Sequence, residues 1–262
     1  MTEFSSHAPG TPSWVDLMSP DVDKSEAFYT SVFGWDAKKQ TDEEGNYVYT
    51  LFMKDDRSAA GMGSIPPGAG EMPSVWNTYI AVEDVAATAA AVESAGGTVL
   101  MPPMQVMTSG EMAVFIDPTG AAFSVWKAQD HIGVEIGNIP DTFSWNELMT
   151  RDIETAKTFY STVFGWKYDA MDMGEGNVYH VIEGGEEGGL GGLMAMPAEV
   201  PEMVPNHWAV YFSVADLDAS IQKVIDAGGQ VVMPPMEIMV GTFATVHDNH
   251  GASFALMQPA ES

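Results

Sequence analysis

Trp14-Val15-Asp16 and Trp145-Asn146-Glu147 each set an indole and a carboxylate two residues apart, and the second pair follows the first by 131 positions. Side chains at i and i+2 of a strand share a face, so in each copy a flat apolar wall stands beside an acid. Two kinds of chemistry are open to such a pair. The indole can stack a planar guest whose donor or positive charge meets the acid. Alternatively, an acid desolvated beside an indole has its pKa raised and can serve as general acid or base. Asp16 and Glu147 are therefore the candidate catalytic residues. The plain structural alternative is an acid copied by duplication that hydrogen-bonds a neighbouring strand or a buried water.

Composition narrows the partners. The 262 residues are 45% hydrophobic and 10% aromatic, enough to bury a core of one large or two ordinary domains. With 37 acidic against 10 basic residues the net charge is -27, which repels nucleic acid and anionic membranes, so neither is an expected partner. The absence of cysteine removes thiol chemistry and thiolate metal sites, so a metal would fall to His, Asp or Glu, and there are six His. No run of about 18 apolar residues is present. The opening MTEFSSHAPGTPSW has neither a basic nor an apolar leader region, so a cytoplasmic protein is expected.

The elements that must position the two pairs repeat with them. SWVDLMSPDVDKSEAFYTSVFGW, from Ser13, returns without a gap as SWNELMTRDIETAKTFYSTVFGW, from Ser144. AGGTVLMPPMQVM from Ala95 returns as AGGQVVMPPMEIM from Ala227, and IDPTGAAFSVW as HDNHGASFALM. Each half repeats again internally: a short alternating run, then Asp21, Asp84, Asp152 or Asp216, then an aliphatic residue. Those four aspartates read as helix N-caps, whose carboxylates accept the first free backbone N–H groups. After the first, Val22, Ser25, Tyr29, Val32 and Phe33 recur at helical spacing, and Gly34 closes the helix. Turn signals at EEGN, GEGN, DPTG and DNHG divide the strands that follow. The unit is strand, helix and about three strands, written four times. The expected organisation is a flexible lead-in over 1–10, modules at 11–128 and 142–258, and a connector at 129–141. MPPM reads as an extended connector, because the residue before proline leaves the helical region. GGEEGGLGGLM lacks the GxGxxG-then-helix order of a dinucleotide cradle.

Strand parity divides the side chains into two faces. Val15 and Leu17, Ile80 and Val82, Phe123 and Val125, Val210, Phe212 and Val214, and Phe254 and Leu256 form an aliphatic face suited to helix packing. The opposite face carries Trp14, Asp16, Asn77, Tyr79, Ser124, Trp126, Trp145, Glu147, Ala209, Tyr211, Ala255 and Met257. Of these, Trp14, Asn77, Tyr79, Ser124, Trp126, Trp145 and Tyr211 are the candidate ligand-binding residues. Asn146, polar at a packing position, has no explanation in the pattern.

The doubled unit, with DPxG before its last strand, resembles the vicinal oxygen chelate superfamily of glyoxalase I, bleomycin resistance proteins and extradiol dioxygenases. Within it the chain resembles the tandem two-module branch that includes a mycobacterial culture-filtrate antigen. The resemblance implies an α+β fold: two modules, each of two βαβββ units forming a curled mixed sheet with helices on its convex face and a ligand cavity inside. It also places metal ligands at first-strand positions occupied here by Trp14, Asn77, Trp145 and Ala209, and at last-strand positions occupied by Ser124 and Ala255. None is a good divalent-metal ligand, so no cofactor is expected and no metal residues are assigned.

Three functions stay open. The first is a metal-free protein that holds a small, partly aromatic molecule, as bleomycin resistance members do. The second is a divalent-metal glyoxalase or dioxygenase with a site rebuilt from Glu147, His207 and His180. The third is a metal-independent lyase, isomerase or hydrolase using Asp16 or Glu147. The modules pair within a monomer or between the chains of a homodimer.

Overall fold

The computed structural model describes residues 3–65, 72–174, 176–185, 188–198 and 200–260. Part of GEGN (residue 175) and of GGEEGGLGGLM (residues 186 and 187) therefore lies outside the described residues.

Four βαβββ units follow one another. The first is β1 (Pro12–Ser19), α1 (Val22–Phe33), β2 (Asp36–Thr41), β3 (Tyr47–Lys54) and β4 (Arg57–Ser64). The second is β5 (Val75–Ala81), α2 (Val85–Ser94), β6 (Thr98–Val106), β7 (Gly110–Ile116) and β8 (Ala122–Ala128). The third is β9 (Thr142–Thr150), α3 (Ile153–Phe164), β10 (Tyr168–Asp172), β11 (Val178–Ile182) and β12 (Gly191–Ala195). The fourth is β13 (His207–Ser213), α4 (Leu217–Asp226), β14 (Gln230–Ile238), β15 (Gly241–His247) and β16 (Ser253–Pro259).

Local chemistry sets the helix ends as the pattern predicts. Asp21, Asp84, Asp152 and Asp216 accept the backbone N–H three residues on, at 3.2, 2.9, 3.0 and 2.9 Å. Gly34 and Gly165 close α1 and α3 in the left-handed region, at φ 68° and 72°, where a side chain is disfavoured.

Each pair of units makes one eight-stranded mixed sheet, in the orders β2-β3-β4-β1-β5-β8-β7-β6 and β10-β11-β12-β9-β13-β16-β15-β14. The α+β organisation into two modules of doubled βαβββ units is thus the observed fold. MPPM departs from its reading as a connector: it lies inside β6 and β14, with register shifts around the prolines. Both strands are the last of their sheets. An edge strand with bulges tolerates residues that cannot donate to a ladder, and the extended bias before proline suits a strand as well as a loop.

The aliphatic face behaves as parity requires, but its partner is the other module. Val15, Leu17 and the α1 stripe share one buried cluster with Val210, Phe212, Val214, Phe254 and Leu256, joining the first unit to the fourth. Ile80, Phe123 and Val125 share another with Leu148, Phe159 and Tyr160, joining the second to the third. The modules therefore pair within the chain through their helix-bearing faces. Two matching links pin the joint. Tyr29 donates to Asp248 Oδ2 at 2.9 Å and Tyr160 to Asp117 Oδ2 at 3.0 Å. These are the turn aspartates of DNHG and DPTG, and their Oδ1 atoms brace their own turns. Asn146 belongs to the same joint: its Nδ2 donates to Thr78 of the other module at 2.9 Å, which explains a polar residue at a packing position.

The lead-in and the connector run together along the first module. Phe4 N donates to Glu135 O, His7 Nε2 lies 2.8 Å from Val134 O, and Gly10 N donates to Ala81 O.

Candidate functional site

The central strands β1 and β9 carry the Trp-x-acid pairs on the helix-free face of each sheet. In the first module Asp16 is buried, with 4% exposure, and three side chains converge on it. Asn77 Nδ2 donates to Oδ1 at 2.8 Å, while the hydroxyls of Tyr49 and Tyr79 donate to Oδ2 at 2.9 and 3.1 Å. Burial raises the Asp16 pKa, and the Asn77, Tyr49 and Tyr79 donors oppose the rise. Burial likewise pushes the Tyr49 and Tyr79 hydroxyls well above their usual range, reinforced by the neighbouring carboxylate, so both remain donors. Trp14 Nε1 completes the relay by donating to the Tyr49 oxygen at 3.0 Å.

Tyr49 reaches across β4 to do this, and Gly61 is why it can. A Cβ at Gly61 would collide with the Tyr49 hydroxyl. Gly192 serves the second module in the same way beneath Tyr179. Sequence reasoning missed both tyrosines, which stand at matching places in YVYTLFM and VYHVIEG, and read the GLGGLM glycines only for a cofactor cradle. A glycine on the strand beside each acid was the available signal.

The second module repeats the relay with one donor fewer. Trp145 Nε1 donates to Tyr179 at 2.8 Å, and Tyr211 donates to Glu147 Oε1 at 3.1 Å. Burial again raises the acid, with Tyr179 and Tyr211 opposing. Where Asn77 faces Asp16 across the ladder, Ala209 faces Glu147. Ser124, beside Tyr79, gives way to Ala255 beside Tyr211.

The candidate ligand-binding residues thus divide between unequal surroundings. Trp14, Tyr79, Ser124 and Trp126 are buried, at 3%, 6%, 2% and 6% exposure, and Asn77 is spent on Asp16. The connector covers them. The His131 ring packs edge-on against Trp14, with centroids 4.5 Å apart, and Trp126 Nε1 donates to His131 O at 2.8 Å. Val134 closes the cluster. Trp145 and Tyr179 remain half-buried, with Glu147 and Tyr211 beneath them.

The donor set at the family's metal positions does not fit a metal. Trp14 and Trp145 present indole N–H groups already given to tyrosines, Asn77 is bound to Asp16, and Ala209 and Ala255 have no donor atom. Nor does the rebuilt alternative assemble. His180 follows Tyr179, which points to Glu147, so it takes the other face, where the charges of Lys157 and Glu154 on α3 act on it. His207 lies opposite Met149 with its Nδ1 2.9 Å from Pro205 O. Among the described residues no cluster of three His, Asp or Glu could hold an ion.

Comparison with known proteins agrees with the doubled βαβββ fold. The sequence model of the Glyoxalase/Bleomycin resistance protein/Dioxygenase superfamily matches residues 11–125 and again 130–256. CFP32 of Mycobacterium tuberculosis, by name a proposed glyoxylase, is 42% identical over 262 residues, covering 99% of each chain. DauV of Streptomyces sp. strain C5, named an anthracycline biosynthesis protein, is 38% identical over 282 residues, covering 100% of this chain and 97% of its own. The Mn(II)-bound glyoxalase from Novosphingobium aromaticivorans has the same fold, with a TM-score of 0.67 at 16% identity, covering 100% of this chain and 84% of its own. No helix among the described residues is long and apolar enough to cross a membrane.

Proposed function

We propose, for a chain that belongs to the glyoxalase/bleomycin resistance protein/dioxygenase superfamily, that its second module binds a small, partly aromatic molecule without a metal, using Trp145 as the stacking wall and Glu147 as the polar anchor. One observation carries this reading. At the place where the family resemblance puts a metal-binding His, the chain has a half-buried indole, held in orientation by Tyr179, with a buried acid two residues along the same face. Large, flat, oriented apolar surface beside a few polar groups is what a small planar guest requires. The name of DauV supports the choice of guest, since an anthracycline carries a planar fused-ring system.

Native mass spectrometry of gently purified protein, with elemental analysis of the same sample, tests the proposal. The expected result is a non-covalent organic ligand that is lost in Trp145→Ala and retained in the presence of a chelator. A stoichiometric transition metal whose removal releases the ligand would contradict it.

A second reading keeps the site and adds turnover. Glu147, its pKa raised by burial, can pass a proton to or from a bound guest as a metal-independent lyase, isomerase or hydrolase. Glu147→Gln would then hold the guest yet leave it unchanged. Asp16, enclosed beneath the connector with three donors upon it, has the same chemistry but no open side.

A further inference from the structure

We infer that the first module carries its own occupant in the shape of the second module's guest: the His131 ring on Trp14 and the Asn77 amide on Asp16 stand where the second module receives an aromatic ring bearing an N–H donor. The inference rests on the metal-free binding reading above and goes on to name the class of guest.

Two differences between the modules fall in the same place. Asn77 and Ala209 hold equivalent registers opposite the two acids, so the 2.8 Å donation to Asp16 Oδ1 has no side-chain counterpart at Glu147. His131 lies 4.5 Å from Trp14 and 5.8 Å from Trp126, centroid to centroid, in edge-on contact with both. Among the described residues no ring packs on Trp145 in this way, and Trp145 is half-buried where Trp14 is 3% exposed. Trp126 and its ladder partner Met112 become Met257 and Phe243, so the second module's ring on this side packs on Tyr211, with centroids 5.9 Å apart, and among the described residues Trp145 has none. Among its described residues the second module therefore has no amide on its acid and no ring on its Trp, and one molecule supplies both if its ring carries an N–H.

His131 is held as an occupant is held. The connector main chain is fixed on both sides of it, by Gln129 N to Ser109 O and by Val134 N to Ser13 O. The ring itself is secured by packing alone, for its Nε2 is buried without a hydrogen-bond partner. Such a ring fills its place by edge-on contact with two indoles and makes no use of its Nε2. Charge selects among N–H donors. Glu147 pairs with no lysine, arginine or histidine among the described residues, and only tyrosine hydroxyls temper its burial. A protonated amine supplies the missing donor and the missing counter-charge together.

Calorimetric titration in a chelating buffer, using three naphthalene probes, tests this. 2-Naphthylmethylamine presents a ring and an ammonium N–H; its N,N,N-trimethyl analogue keeps the charge without the N–H; 2-naphthoate reverses the charge. The wild-type protein should take one equivalent of the amine and bind the other two about tenfold or more weaker, as expected when a buried acceptor loses its donor. Ala209→Asn, which installs the first module's donor in the second, should weaken the amine by about tenfold or more. Asn77→Ala/His131→Ala should admit a second equivalent, and where that variant does not fold, Ala209→Asn decides. Failure of all three probes to bind would defeat the binding reading and this inference with it. Equal binding of the amine and its trimethyl analogue, unchanged in Ala209→Asn, would overturn this inference alone and leave the binding reading standing.

Discussion

At the scale of the residue, two acids that sequence treats as equals differ by what reaches them. Asp16 is enclosed by Asn77, Tyr49 and Tyr79, whereas Glu147 keeps only its tyrosines. His131 makes the difference larger, and it carries a measurable signature. Burial lowers its pKa from 6.5 to about 4, the His7 charge adding to the fall and Glu135 opposing it. The unfolded chain therefore takes up this proton first as pH falls. Its neutral state costs nothing above pH 6.5, and stability is lost progressively between 6.5 and about 4. The loss reaches about 3 kcal/mol at the low end of that window. Denaturant titrations at neutral and mildly acid pH should show His131→Phe, which keeps a ring but cannot titrate, gaining on the wild type as pH falls. Parallel curves would mean that His131 is solvated. This residue was not legible in the sequence, because the connector has neither period nor repeat to say that a ring from it enters a module. The Trp-x-acid pairs were legible, because parity within one strand is a local property.

At the scale of the element, legibility follows the same rule. Caps, strand faces and the fourfold βαβββ order depend on neighbours in sequence, and the observed helices begin at the four aspartates. The placing of MPPM on the sheet edges and of Asn146 in the joint depends on partners far along the chain. Asn146 gives a test of that joint. Its counterpart in the first module is Val15, and that of Thr78 is Val210, both fully buried. Thr78→Val alone leaves the Asn146 amide only a long 3.5 Å contact with Ala209 O, beside an Oδ1 already without a partner, and should cost about 1 to 3 kcal/mol. Adding Asn146→Val, so that both positions take their counterparts' valine, should recover most of that loss in a double-mutant cycle of unfolding free energies. Simple addition of the two single effects would show that the hydrogen bond contributes no coupling.

At the scale of the whole molecule, the duplication yields one body, because each module completes the other's core. Phe28 packs in the cluster that joins the first and fourth units, with 2% exposure. Phe28→Ala should cost about 3 to 5 kcal/mol through the cavity it leaves, and unfolding should remain one transition seen alike by probes in either module. Two separated transitions would mean that the modules are independent. The shared core also faces both helix-free surfaces outward, away from each other, and the connector covers the first of them. The proposed function is thus asymmetric on a symmetric fold, with ligand binding proposed for the second module alone. The most direct measurement is a titration of 2-naphthylmethylamine, followed by calorimetry in chelating buffer, into the wild type, Trp14→Ala and Trp145→Ala. Loss of about 1 to 3 kcal/mol of binding free energy in Trp145→Ala, with Trp14→Ala unchanged, is the expected result. Equal weakening by the two substitutions, or binding that requires an added divalent metal, would contradict it.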